Sequence, residues 1–150
     1  MAERLTTRRL AQADKSEIAA LYLALVGDQP TDIEELASVL EHPGTTMWGC
    51  LTAGRIVSMV TLHLLPNVTQ GGRPYGLIEN VVTLPDFEGQ GAGTAAMNAA
   101  IAHAWDKDAY KVMLLTGQDT GAKGFYEKLG FRSDQKFGMQ LRRVPPRQPR

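Results

Sequence analysis

The residues best placed to do chemistry lie in one stretch, Val81-Val82-Thr83-Leu84-Pro85-Asp86-Phe87-Glu88-Gly89-Gln90-Gly91-Ala92-Gly93-Thr94. It reads as a strand, a tight turn and the opening of a helix, with glycine at alternate positions Gly89, Gly91 and Gly93. The first N–H groups of a helix have no partner within it, and the helix dipole adds positive potential there. Backbone alone can therefore hold a phosphate at such a place. Glycine lets that backbone approach a ligand with no Cβ in the way. The same turn also fits a plain reading, a close strand-to-helix connection that holds nothing. It lacks the Gly-Lys-Ser/Thr ending of a nucleotide-binding P-loop. No His/Cys/Asp cluster has metal-ligand spacing, and nothing beside the single cysteine, Cys50, marks it as a nucleophile.

The elements that must position this stretch follow from hydrophobic periodicity. Glu3 to Leu10 reads as a first strand. Asp14-Lys15-Ser16-Glu17 has the form of a capping box, followed at helical spacing by Ile18, Leu21, Tyr22 and Leu25 and ended by Gly27. Thr31-Asp32-Ile33-Glu34 opens a second helix, whose apolar face is Ile33, Leu36, Ala37 and Leu40 and whose stop is His42-Pro43-Gly44. Thr45 to Thr52 and Arg55 to Leu65 are strands joined by a hairpin at Ala53-Gly54. Pro66 to Pro74 is a loop, and Leu77 to Leu84 is a strand that runs directly into the glycine turn. An alanine-rich helix follows through Trp105, then a buried strand over Tyr110 to Thr116. Ala122 to Leu129 is a short helix closed by Gly130, and Phe131 to Arg142 a last strand. The proline-rich basic tail Val144 to Arg150 is expected to be disordered. This order implies one mixed sheet, antiparallel first and parallel where the helix crosses over. The glycine turn then falls at the carboxyl end of a strand, where open α/β sheets bind ligands.

Bulk properties bound the reading. At 150 residues with 43% hydrophobic content, the chain can bury a core without disulfides or metals. Sixteen basic and sixteen acidic residues cancel, so net charge makes no case for nucleic acid or a membrane surface. One cysteine and a polar start imply a cytoplasmic protein with no signal peptide.

Two motifs now combine. Glu88-Gly89-Gln90-Gly91-Ala92-Gly93 matches an Arg/Gln-x-x-Gly-x-Gly/Ala turn, and Phe125-Tyr126-Glu127-Lys128-Leu129-Gly130-Phe131 matches aromatic-Tyr-x-x-x-Gly-Phe. With the Tyr110 to Leu115 strand between them, the chain resembles the GNAT superfamily of acetyl-CoA-dependent N-acetyltransferases from its first strand to about Arg142. Ile78-Glu79-Asn80-Val81-Val82 is locally similar to the glucosamine-phosphate acetyltransferase subgroup. The resemblance implies an α/β fold in three layers within one domain, residues 1–143. Its mixed sheet would have six to seven strands flanked by about four helices, splayed between the fourth and fifth strands. It also implies acetyl-CoA as cosubstrate and no metal.

Residue by residue, the resemblance implies that the amides of Gly89, Gln90, Gly91, Ala92, Gly93 and Thr94 hold the CoA pyrophosphate. Val82 and Thr83 would pair with the pantetheine arm, and the Val82 amide would polarise the thioester carbonyl. Phe125 and Tyr126 would lie with the cofactor, Tyr126 protonating the departing thiolate. Asp119 stands where many members have a cofactor-contacting Asn, and Glu88 stands where the family has Arg or Gln.

A primary amine acceptor must lose a proton before it attacks. Glu79 is the leading candidate base, weighed against a structural carboxylate bonded to backbone or Arg73. His63 is the runner-up, while His42 and His103 read as surface or packing residues. The first two helices and the Pro66 to Pro74 loop are expected to form the acceptor pocket, with Asp28, Asp32 and Arg73 able to tune it. Leu115, near an acidic substrate position of the glucosamine-phosphate subgroup, argues against simple transfer of that substrate. The expected activity is direct acetyl transfer to a small-molecule or peptide amine in a ternary complex. The alternative is a non-catalytic CoA-binding or sensory module. Neither nucleic acid nor membrane is an expected partner, and a homodimer is an expectation of the family.

Overall fold

The computed structural model describes residues 3–27 and 29–147, which fall into two compact units divided after Met113. Asp28 and the last three residues of the tail lie outside the described residues.

The first unit is a five-stranded sheet in the order β1 (Thr6–Arg9), β2 (Thr45–Thr52), β3 (Arg55–Leu65), β4 (Tyr75–Thr83), β5 (Val112–Met113). The first three pairings are antiparallel and the last is parallel. Helices α1 (Lys15–Val26) and α2 (Ile33–Glu41) bring Ile18, Leu21 and Leu36 onto Met47, Leu51, Met59 and Val82 of one sheet face. The other face meets α4 (Ala92–Asp106), where Trp48 lies 5.2 Å from His103 between ring centroids. Ala92, Ala96, Ala100 and Ala104 recur every fourth residue and are all buried, so one stripe of α4 approaches the sheet closely. The hairpin between β2 and β3 forms as the sequence predicts, with Ala53 and Gly54 both at positive φ. Between β3 and β4, α3 (Thr69–Gly72) is one turn broken by left-handed Gln70 and Gly71.

Several local expectations change. The capping box at α1 does not close: Asp14 is N-cap but makes no side-chain cap bond. Its carboxylate instead accepts from Arg8 at 2.8 and 2.9 Å and from the Ala11 amide at 2.8 Å. Glu17 accepts from the Ile56 amide at 2.9 Å, tying α1 to β3. Asp14 thus caps the preceding turn and holds Arg8 of β1, while Glu17 serves a partner on β3, neither of which the expected box includes. At α2 the N-cap is Asp32, which accepts from Glu34 at 2.8 Å, so the helix starts one residue later than the Thr31 box implies.

Among the described residues the sheet has five strands, not six or seven. The expected Tyr110 to Thr116 strand contracts to Val112–Met113, and Phe131 to Arg142 forms no ladder. A strand exists only through a partner edge, which an alternating sequence cannot supply by itself. In the second unit, α5 (Lys123–Lys128) is followed by Gly130 at φ 100°, and the Phe131 amide donates back to the Tyr126 carbonyl at 3.1 Å. Phe137, Met139 and Leu141, on alternate positions of the last segment, are exposed.

Candidate active site

The glycine turn is built by backbone strain that only glycine takes cheaply. A single 3-10 turn at Pro85–Phe87 stands between β4 and the glycines, so β4 does not run directly into them. Gly89 (φ 73°) and Gly91 (φ 89°) are left-handed, and Gly91 is the N-cap of α4 without any side-chain cap. The first helical bond runs from the Ala95 amide to the Gly91 carbonyl at 3.0 Å, which leaves Ala92, Gly93 and Thr94 with no helical acceptor. A Cβ on Gly89 would meet nothing within 4 Å, and one on Gly91 only Leu5 Cδ1 at 3.9 Å. Conformation, not crowding, demands glycine here, and the space over the amides is open. Gln90 braces the turn by donating Nε2 to the Asp86 carbonyl at 3.0 Å. Glu88 is exposed.

Upstream, β4 presents a free edge. Its pairing with β5 covers Gly76 and Leu77 alone, so among the described strands nothing covers that side from Ile78 onward. A bulge shapes what this edge offers. Met59 opposes Val82 but Thr61 opposes Glu79, so three β4 steps match two in β3, with Asn80 left-handed at φ 52°. The bulge brings Glu79 and Val82, three residues apart, to one face. The Leu84 amide donates to the Val57 carbonyl at 2.8 Å, so by antiparallel alternation the Met59–Val82 pair is also hydrogen-bonded. That turns the Val82 amide into the ladder and the amides of Val81 and Thr83 toward the open edge. The candidate oxyanion donors are therefore Val81 and Thr83 rather than Val82. Ser58 locks this end, donating to the Val82 carbonyl at 3.1 Å and lying 2.8 Å from the Thr83 hydroxyl.

On the α1/α2 face, the registers Thr45–His63, Met47–Thr61 and Thr61–Glu79 align five side chains across three strands. Glu79 is exposed. Arg73, the partner considered for it, instead holds Asp108, with Nη2 3.2 Å from Oδ1 and Nε donating to the carbonyl at 3.1 Å. His63 is half-buried, and burial pushes its imidazole below the ordinary histidine value against the opposing pull of Glu79. Its Nδ1 lies 2.9 Å from the hydroxyl of Thr45, which lies 3.0 Å from His42 Nδ1. Sequence reading passed over Thr45 and Thr61, because only the strand register places them beside His63 and Glu79. Asp32 is occupied as the α2 cap. Cys50 is fully buried, and burial raises its thiol pKa, which suits packing rather than nucleophilic work.

In the second unit, Tyr126 packs edge-on between Phe125 and Phe131 at 5.0 and 6.1 Å, and burial raises its phenol pKa. Asp119 is exposed in the loop before α5. Among the described residues, no group of three or more His, Cys, Asp or Glu could hold a metal ion. No helix there is long and apolar enough to cross a membrane.

A family model described as the acetyltransferase (GNAT) family matches residues 11–131. The chain belongs to this family. A glucosamine 6-phosphate N-acetyltransferase of Trypanosoma brucei brucei is 34% identical over 139 residues, 88% of this chain and 92% of that protein. An aminoglycoside N(6')-acetyltransferase type 1 of Stenotrophomonas maltophilia is 30% identical over 107 residues, 69% of each chain. A solved structure from Agrobacterium tumefaciens strain C58 superposes with a TM-score of 0.85 at 37% identity, over 92% of this chain and 99% of the other. This GNAT protein is thus an N-acetyltransferase with the α/β fold of its family, whose members use acetyl-CoA.

Proposed function

We propose that the protein transfers the acetyl group of acetyl-CoA to an amine by direct attack within a ternary complex, with residues 1–143 as one catalytic domain. The observation that carries this is two groups of unpaired backbone donors, one on the edge of β4 and one at the start of α4. The open edge of β4 offers the Val81 and Thr83 amides, and the start of α4 offers those of Ala92, Gly93 and Thr94. A diphosphate with a peptide-like arm fits that order: the pyrophosphate at the helix dipole, the arm's amides along the strand edge. Acetyl-CoA is consumed as a substrate. Its thioester carbonyl is polarised by an edge amide, and Tyr126, a neutral phenol whose pKa burial raises further, donates a proton to the leaving thiolate. A base on the α1/α2 face takes one proton from the ammonium; attack by the resulting neutral amine forms the C–N bond as the C–S bond breaks, and the second proton that nitrogen loses replaces the one Tyr126 gave.

The acceptor is an amino sugar, the class shared by the names of the two curated relatives. The test is calorimetric titration with CoA, then thiol release from acetyl-CoA with glucosamine 6-phosphate, an aminoglycoside and a lysine peptide. Release with amino sugars but not the peptide is expected. Tight CoA binding with no release on any amine would instead support a non-catalytic module.

A further inference from the structure

We propose that His63, rather than Glu79, takes the proton from the acceptor amine, and that Thr45 and His42 set its tautomer and pass the proton to solvent. This rests on the acetyl-transfer reading above and assigns a role within it.

The Thr45 hydroxyl stands between two imidazole Nδ1 atoms, at 3.0 Å from His42 and 2.9 Å from His63. A hydroxyl has one proton, so it can donate to only one of them. When it donates to His42, His63 must donate its own Nδ1–H to Thr45, which leaves His63 Nε2 with a free lone pair. Thr45 is buried, so the geometry is held by the sheet rather than by solvent. His63 shares the α1/α2 face with Glu79, and the Thr61 hydroxyl lies between them in register. Thr61 is 1% exposed and its Oγ1 has no hydrogen-bond partner. His42, at the other end of the chain, is exposed and can exchange with water.

The proton balance closes. The ammonium gives its proton to His63 Nε2, His63 Nδ1–H passes to the Thr45 oxygen, and the Thr45 proton passes to His42 Nδ1. His42 then releases its Nε2 proton to solvent. The chain is left reversed, and it resets after product leaves, when water takes the His63 Nε2 proton and His42 Nε2 regains one. The charges facing His63 are Glu79 from β4, which favours its protonated form, and His42 beyond α2, which joins burial in opposing it; burial outweighs Glu79.

The test uses the full chain. Imidazole nitrogen NMR reads the tautomer directly: free His63 is expected with its proton on Nδ1, and Thr45→Val should release it to the mixture of free imidazole. A His63 carrying its proton on Nε2 would overturn the proposal. Kinetics with acetyl-CoA and glucosamine 6-phosphate give the second readout. His63→Gln should lose about 100-fold in kcat at neutral pH, with KM for acetyl-CoA unchanged and the loss shrinking as pH rises and the amine deprotonates itself. Thr45→Val should fall partway and Thr45→Ser recover. Glu79→Gln should shift the acid limb of the pH profile to lower pH, because His63 loses its facing negative charge. If Glu79→Gln abolishes that limb while His63→Gln preserves it, Glu79 is the base and the proposal fails, with acetyl transfer intact. No turnover by the unsubstituted enzyme on any amine would overturn acetyl transfer and this proposal together.

Discussion

Replacing Gly91 with alanine separates the two costs that this residue carries. At φ 89° an alanine in the left-handed region is strained by about 1–2 kcal/mol. The lower entropy of the unfolded alanine chain returns about 0.4–1 kcal/mol. No steric term is added, since the nearest atom to the new Cβ is Leu5 Cδ1 at 3.9 Å. The net destabilisation is about 1 kcal/mol, a fall of about 2–4 °C in melting temperature for a domain of this size. Ligand binding should suffer more. The strained residue would shift the amides that follow it, and a phosphate that loses one charge-assisted bond loses about 1.5–3 kcal/mol, or roughly 10- to 100-fold in Kd for CoA. Gly71→Ala is the matched control, left-handed at φ 69° with nothing within 4 Å of its Cβ. It should destabilise equally and bind CoA normally. Thermal melts and calorimetric titration measure the two costs. A Gly91→Ala protein that binds CoA as tightly as Gly71→Ala would refute the assignment of these amides to the pyrophosphate.

Three further outcomes follow from the same structure. Tyr126→Phe should lower kcat for thiol release by about 100-fold with CoA affinity unchanged, the loss expected when a general acid is removed. Asp14→Ala should cost about 1–2 kcal/mol in urea unfolding, because one amide and both Arg8 bonds lose their acceptor; exposure of Arg8 keeps the figure low. The hydrogen bond from Arg8 lowers the Asp14 pKa, so this contribution is present above about pH 5 and is lost as pH falls through the folded Asp14 value; the two proteins should converge in stability in acid. Cys50 should react with a thiol reagent only on unfolding, and Cys50→Ala should keep acetyl transfer, as a buried thiol with a raised pKa is a poor nucleophile.

Local chemistry made much of this protein legible from its residues alone. Runs rich in β-forming residues defined β2 and β3 to the residue, Ala53-Gly54 marked their hairpin, and Gly27 and Gly130 marked helix ends, because each depends on neighbours within a few positions. The glycine turn was legible for the same reason, since left-handed backbone and unpaired helix amides are properties of the segment itself. Pairing across the sheet was not. Val82 looked like an edge donor until the Asn80 bulge and the Leu84–Val57 bond set the ladder's parity, and one residue of register decides which amide faces outward. Asp14 and Glu17 looked like a cap until β1 and β3 arrived as better partners. The chain from His42 through Thr45 to His63 spans residues 21 positions apart, and only the meeting of β2 and β3 brings its parts within hydrogen-bond reach. Sequence alone determined where a phosphate could be held; the sheet decided which amides face its open edge and which histidine Thr45 joins to His42.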